Sequence, residues 1–451
     1  MTASRSPRRL TLAFATIGAL LFVAPTAAQT RLYVLTSGAV SDQCLSGPCA
    51  PGRLIQIDVD ERRVVADTPI LHARTRGTGP RITPDGRYLL WTGSEQPDYR
   101  PRRQPLYVSL FDIASRIQTT PLLAPLSTEV AWLSAHPSAM RAFIQLSFGG
   151  PITVAEPGGS RTLPLPPCSS PIFQGRSGDG RRLSIFCEPT RSLIVDSQDG
   201  ELLAAVPHGP TAQTLDDLGT EMFTVDWDFE ARLEPTMYRR FEVATGRVLA
   251  ERVVLPEEFD GLLWLFDHRL RRIYASNFGV IIALDADTLQ PVGEIRAPHP
   301  ETPVPEMVLD PDLPRAYVLW WGPHTSRITI TQINPTTLAA EASGSLALDS
   351  AVVGMALGPR PPAVSDLASR VDGRAVTLDW QVAASRSIAT GLVIEVGSLP
   401  GQINLARLPV AASTTSITVR DVPTGTYHVR VRAVNGSGSG HPSNEIVVSV
   451  P

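Results

Sequence analysis

Hydrophobic positions along this chain come in short runs, each set off by a polar corner. Thr83-Pro84-Asp85-Gly86-Arg87 turns directly into Tyr88-Leu89-Leu90-Trp91. The same order, corner then apolar run, returns as "HPSAMRAFIQL" at 136, "SGDGRRLSIF" at 177, "DLGTEMFTV" at 217, "DHRLRRIYAS" at 267 and "DPDLPRAYVLWW" at 310. Runs rich in β-branched and aromatic residues between Gly, Pro and Asp turns predict strands and hairpins rather than helices.

A second signature recurs out of phase with the first: an apolar run ending in an acidic or amide residue, a small-residue turn, then another apolar run. Its markers are Asp58, Asp112, Glu156, Asp196, Glu242, Asp285 and Asn334, spaced 40 to 54 residues apart. A period of this length with some four strands per unit predicts a seven-bladed β-propeller, in which each blade buries its faces against its neighbours. The ends of the repeat region fit closure. "RLYVLTSG" (Arg31 to Gly38) begins with the strand that normally follows a corner, and "SAVVGMALGPRP" (Ser350 to Pro361) supplies the missing inner strand and corner. Together they complete one blade and leave no free sheet edge.

The runs "RLYVLTS", "PDGRYLLW" and "RAYVLWW" resemble those of YVTN-type seven-bladed propellers, common in bacterial exported and surface proteins. The resemblance spans roughly residues 30 to 360 and speaks to fold more than to function. The expected propeller is 29–359. Composition then shifts at the proline-rich "LGPRPPAVSDL", read as a hinge, into a second domain at 360–451 with clear strand alternation. "AVTLDWQV", "GLVIEVG" and "VPTGTYHVRVRAVN" resemble a fibronectin type III domain. Trp380 matches that family's core tryptophan and Tyr427 its corner tyrosine, whose hydroxyl bonds back to the chain. "NGSGSG" (Asn435 to Gly440) falls at the last hairpin turn, and no Arg-Gly-Asp tripeptide occurs in this domain.

Residues 1–28 read as a secretory signal peptide, with a basic head (Arg5, Arg8, Arg9), an apolar stretch from Leu10 to Ala24 and small residues before Gln29. The apolar stretch falls short of the roughly 20 residues that cross a bilayer. The chain is therefore expected to be exported, periplasmic or secreted, and monomeric, with no membrane span after cleavage. With 43% hydrophobic residues it can build real cores. A net charge of −4 leaves no electrostatic footprint for nucleic acid. Cys44, Cys49, Cys168 and Cys187 form an even set that reads as disulfides in an exported chain. Three connectivities are possible, and proximity favours Cys44–Cys49 with Cys168–Cys187. No cysteine or histidine spacing suits zinc.

Phosphate loops, His-Glu-x-x-His and Gly-x-Ser-x-Gly are absent from the sequence. In a propeller, the functional face lies where inner strands begin and the following strands end. Those positions carry Arg76, Glu129, Asp260, Glu306 and Asp349, and then Trp91, Asp226, Trp227, Asn277, Trp320 and Trp321. Trp91, Asp226, Trp227, Trp320 and Trp321 are the candidate binding residues, since exposed tryptophans stack on sugar rings or on a partner's apolar surface. Trp320 and Trp321 stand out because adjacent strand residues point to opposite faces. The carboxylates and amide are of the ligand type that calcium takes, and no other cofactor is expected. Asp226 and Asp228 pair two carboxylates but lack a nucleophile or positioned histidine; His136, His268 and His324 show no ligand spacing. The expected function is an exported binding or scaffold protein. Its propeller loops would engage a protein or glycan, with the second domain as spacer or second contact. The alternative is a hydrolase or lyase acting on a polysaccharide or lactone in the channel.

Overall fold

The computed structural model describes residues 30–36, 52–70, 79–94, 106–119, 132–145, 149–156, 159–188, 191–207, 211–226, 237–254, 264–277, 279–298, 304–311, 313–321, 327–347 and 352–451. These residues form strands and turns, with no helix among them. Seven four-stranded antiparallel sheets follow one another along the described residues up to Leu357. The first joins the two ends of this region: from inside out it pairs Val352–Leu357, Arg31–Thr36, Gly52–Asp58 and Arg63–Ile70.

The innermost strands of the second to seventh sheets are Arg81–Ile82, Trp132–Ala135, Ser169–Arg176, Thr211–Leu215, Trp264–Asp267 and Val304–Leu309. From the second sheet to the sixth, each touches the inner strand of the next sheet. Between the sixth and seventh sheets Arg272–Asn277 meets Val304–Leu309, Val304–Leu309 in turn meets Val352–Leu357 of the first sheet, and Val352–Leu357 meets Arg81–Ile82 of the second. The sheets therefore close into a ring.

Every interface in that ring has its own apolar cluster. Leu32 and Val34 turn toward Tyr317 and Leu319 of the seventh sheet, while the alternate residues Tyr33 and Leu35 turn toward Leu89, Trp91 and Phe111 of the second. The remaining five interfaces repeat this arrangement. A strand in the middle of such a sheet is covered on both faces, so its sequence is a continuous apolar run and not the alternation of a half-wet strand.

The corners explain the polar half of the pattern. At the first corner position the backbone N–H donates to the carbonyl five residues on: Thr83 to Tyr88 (2.9 Å), His136 to Arg141 (2.8 Å), Ser177 to Arg182 (2.9 Å), Asp216 to Glu221 (3.1 Å) and Asp310 to Arg315 (2.9 Å). The side chain at that position accepts another corner N–H, as Asp310 Oδ1 does from Leu313 at 3.0 Å and His136 Nδ1 from Ala139 at 3.0 Å. The corner of the fifth sheet starts at Asp216, one residue before the Asp217 at which the sequence copy begins. The second signature falls at the ends of third strands. Asp58, Asp112, Asp196, Asp285 and Asn334 each accept a backbone N–H of the turn that follows. These acidic and amide side chains are turn caps, which is why they recur.

Cys168 and Cys187 form a disulfide with a Cα separation of 5.5 Å, tying the entry of the fourth sheet's inner strand to its second strand. For a loop of this length the chain-entropy contribution is about 3 kcal/mol. Cys44 and Cys49 lie outside the described residues.

Residues 364–450 form a sandwich of two sheets. One pairs Val364–Asp372, Ala375–Val382 and Ser416–Val419. The other pairs Ala406–Val410, Gly391–Gly397, Gly425–Asn435 and Gly438–Pro442, with Ile446–Val450 also on Gly425–Asn435. Trp380 is buried between them with Leu378, Ile394 and Val431. Tyr427 Oη donates to the Pro423 carbonyl at 2.8 Å, closing the corner that leads into the long strand.

Candidate functional site

The expected rim residues divide sharply. Trp91 and Trp320 are completely buried. Trp91 fills the interface between the first and second sheets, and Trp320 that between the sixth and seventh, donating Nε1–H to Thr331 Oγ1 at 3.2 Å. Neither is open to a ligand, because both faces of these middle strands are covered by a neighbouring sheet. Trp321 is half-buried against the cluster between the seventh and first sheets. Asp226 ends the strand Glu221–Asp226. Trp227, Asp228, Arg76, Glu129, Asp260, Asp349 and His324 lie outside the described residues. Among the described residues no group of three or more His, Cys, Asp or Glu side chains is placed to hold a metal.

Glu306 is the expected site residue whose surroundings are fully laid out. It sits on the innermost strand of the seventh sheet, and its side chain reaches across the inner strand of the first, where Oε2 accepts the Met355 N–H at 2.8 Å. It extends toward the second sheet as well: a Cβ placed on Gly79 would lie 2.8 Å from Oε1, and one on Gly354 would lie 3.0 Å from Oε2. A side chain that spans three consecutive inner strands lies inside the ring, in a cleft that two glycines keep open. Burial pushes the Glu306 carboxyl up to about 7, with the Arg81 charge and the Met355 hydrogen bond opposing that rise.

Two arginines share the interior. Arg81 belongs to the second sheet and Arg176 to the fourth. Burial lowers both, Arg176 to about 10, and the charges of Arg81 and Arg386 lower Arg176 further. Arg176 remains cationic at neutral pH, and a guanidinium in general holds its proton there. Sequence reasoning missed them, yet a signal was there: "GPRI" and "FQGR" place an arginine just before a corner, where the other inner strands are apolar or small.

The corner end of the channel is covered by the C-terminal sandwich. Ile388 N–H donates to the Pro84 carbonyl at 2.9 Å, and Gly436 N–H to the Asp85 carbonyl at 2.8 Å. Arg386 forms an ion pair with Asp217, on the corner of the fifth sheet. The second and fifth sheets are well separated around the ring, so these contacts bridge the mouth. Burial lowers the His268 pKa, and Arg386 adds to the effect, with Asp217 and Asp267 opposing it. Burial also brings His136 down to about 4, so this corner imidazole is neutral and serves as an acceptor.

The proline-rich segment expected as a hinge is pinned on both sides. Gly358 N–H donates to the Arg31 carbonyl at 2.8 Å, and Asn435 Nδ2 to the Pro359 carbonyl at 2.8 Å. Arg360 is buried, paired with Asp310 at 3.3 Å and hydrogen-bonded to Thr30 Oγ1.

A ring of four-stranded sheets around a charged interior, one mouth bridged by a two-sheet sandwich, defines a β-propeller protein. No family model and no curated protein sequence matches the chain. Among solved structures it is similar to the dihydro-heme d1 dehydrogenase NirN in complex with DHE, at 14% identity over 77% of this chain and 78% of that one, with a TM-score of 0.47. It is also similar to a protein from Lactobacillus plantarum, at 13% identity over 73% and 99% of the two chains and a TM-score of 0.49. A third is the Myceliophteria thermophila Cps50 (Swd1) β-propeller domain, at 17% identity, 62% and 87% coverage and a TM-score of 0.39. Likenesses this remote assign no ligand and no reaction, and the ring is read from its own sheets and clusters.

Proposed function

We propose that this chain is an exported binding protein: a seven-bladed propeller of YVTN type followed by a fibronectin type III module, engaging a protein or glycan through the face opposite the sandwich. The observation that carries the reading is the bridged corner face. Hydrogen bonds from Ile388 and Gly436 and the Arg386–Asp217 ion pair occupy that side. A partner therefore meets the other side, toward which the inner strands begin and the rim loops belong. In this reading the module is a fixed cap and not a swinging spacer. The seven sheets with seven interface clusters support the blade count, and Trp380 with the Tyr427 corner supports the module type. Export agrees with the Cys168–Cys187 disulfide, a bond that persists in oxidising compartments.

A second reading, catalysis on a polysaccharide or lactone, is favoured by one observation. The Glu306 carboxyl titrates near 7 inside the channel, as a general acid or base would.

The test is thermal unfolding of the oxidised mature chain against a panel of glycans and calcium, alongside capture of partners from envelope extracts. A ligand at 100 times its dissociation constant adds about 2.7 kcal/mol of stability. A shift with a glycan, or a captured envelope protein that competes with it, upholds the binding reading. Turnover of a member of the panel, abolished by Glu306→Gln, replaces it with the catalytic one. Neither shift, capture nor turnover overturns both.

A further inference from the structure

We propose that the ring encloses an oxyanion site, in which the guanidinium groups of Arg81 and Arg176 grip a carboxylate, sulfate or phosphate group of the ligand beside the carboxyl of Glu306. The inference stands on the geometry of the interior, independently of what binds the outer face.

Most buried or half-buried arginines here have a carboxylate. Arg31 pairs with Asp58 at 2.9 Å, Arg360 with Asp310 at 3.3 Å, and Arg430 and Arg432 with Glu395 at 2.7 and 2.9 Å. Arg81 and Arg176 do not: among the described residues neither lies within ion-pair distance of an acid. Arg81 Nη1 donates to the Pro80 carbonyl at 3.1 Å, and Arg176 Nη1 to the Ser177 carbonyl at 3.0 Å. Among the described residues the buried Nε of Arg176 has no hydrogen-bond partner. A guanidinium carries five N–H donors in a rigid fork. Each of the two half-buried guanidinium groups has one hydrogen bond to a backbone carbonyl, and an oxyanion supplies acceptors that match the rest of the fork.

The two arginines sense each other electrostatically, so a shared ligand relieves a repulsion as well. Glu306 and Arg81 likewise feel one another, and among the described residues no ion pair joins them. Asp179 and Asp217, the acids that face Arg176, are engaged elsewhere: Asp179 takes the Ser177 hydroxyl and the Arg181 N–H, and Asp217 takes Arg386.

Glu306 makes the site proton-linked. The groups facing it are Arg81 from the second sheet and the Met355 N–H from the first. In its neutral form the carboxyl presents an O–H donor to an anion, and in its ionised form it repels one. Binding is therefore expected to weaken as pH rises through about 7. The limit is about tenfold per pH unit, the slope for uptake of one proton.

Isothermal titration of the full oxidised chain in low-chloride buffer tests this, with sodium glucuronate and sodium sulfate as probes and glucose as the neutral control. Both anions keep their charge across the relevant pH range. The expected result is saturable binding of at least one anion and none of glucose, tighter below the Glu306 value than above it. Arg81→Gln and Arg176→Gln should each weaken binding by about tenfold or more, the loss of a charge-assisted contact. Glu306→Gln should flatten the pH dependence. Glucuronate without sulfate assigns the group to a carboxylate, and sulfate without glucuronate to an inorganic anion or ester. In the absence of anion, Arg176→Gln should unfold no earlier than the parent, because an unmet guanidinium has been removed. An earlier midpoint would make Arg176 structural and overturn the proposal, as would the absence of anion binding at millimolar concentration or binding unchanged in both arginine variants.

Discussion

At position 306 an inner strand carries a carboxyl where its neighbours carry apolar groups, and the surroundings decide what that carboxyl does. Its folded value of about 7 lies above the ordinary carboxylate range. The folded state therefore holds the proton more tightly than the unfolded state does, and stability is lost as pH rises from about 4.5 to 7, by up to about 3 kcal/mol. Glu306→Gln cannot ionise and keeps an acceptor for the Met355 N–H. It should match the parent in urea unfolding near the bottom of that range and exceed it above the top. An equal gap at both ends would mean that Glu306 does not titrate as a buried acid. Trp320 behaves in the opposite sense. It is a core residue, so Trp320→Ala should cost about 3–5 kcal/mol in the same assay, with no specific effect on ligand binding. The position of Glu306 near the channel was legible from its place in the repeat. Its partners were not, because Met355 and Gly79 are remote in sequence. Trp91 and Trp320 were misread for a definite reason: alternation leaves one face of a strand wet only where nothing covers that face, and here the next sheet does.

The corner is the element that does most in this fold. Thr83-Pro84-Asp85-Gly86 shapes the turn between the inner strand and the second strand, Tyr88–Ser94, of the second sheet and also receives the C-terminal sandwich. Gly86 has φ +65°, a region that L side chains avoid, and a Cβ there would lie 2.6 Å from the backbone nitrogen of Ser437. Gly86→Ala is therefore expected to loosen the sandwich from the ring rather than merely strain a turn. Limited proteolysis should then cut the 358–363 segment, which the parent protects; equal protection in both would show that the docked turn carries little of the attachment. "NGSGSG" was legible as a hairpin turn, and Asn435 does pair with Gly438 across it. Its second role, donating Gly436 N–H to the Asp85 carbonyl, left no trace in local sequence, since a turn that docks and a turn that faces water use the same residues. The "hinge" misled in the same way. Proline restricts the chain by itself, but only the neighbours of Arg360 reveal that the segment is held.

On the scale of the whole molecule, the first sheet binds the two ends of the ring together. Val352–Leu357 pairs with Arg31–Thr36 across more than 300 residues of chain, in the register Leu32 to Leu357 through Thr36 to Val352. A chain ending before Val352 would leave Arg31–Thr36 as an open edge and uncover the interface with the seventh sheet. It should aggregate on size-exclusion chromatography, whereas a chain ending after Ala363 should stay soluble and lose only the cap. Monomeric behaviour of the shorter chain would show that the ring holds without its closing strand. What the sequence determined alone is the local grammar: strands, corners, turn caps and their period. Each of these depends on residues within a few positions of one another, and a repeat displays them seven times over. The tertiary structure decided which tryptophans are buried, that the sandwich bridges one mouth, and that Glu306, Arg81 and Arg176 share an interior. Those facts depend on side chains contributed by different sheets, and the distance between such residues is set by how the ring closes rather than by any spacing along the chain.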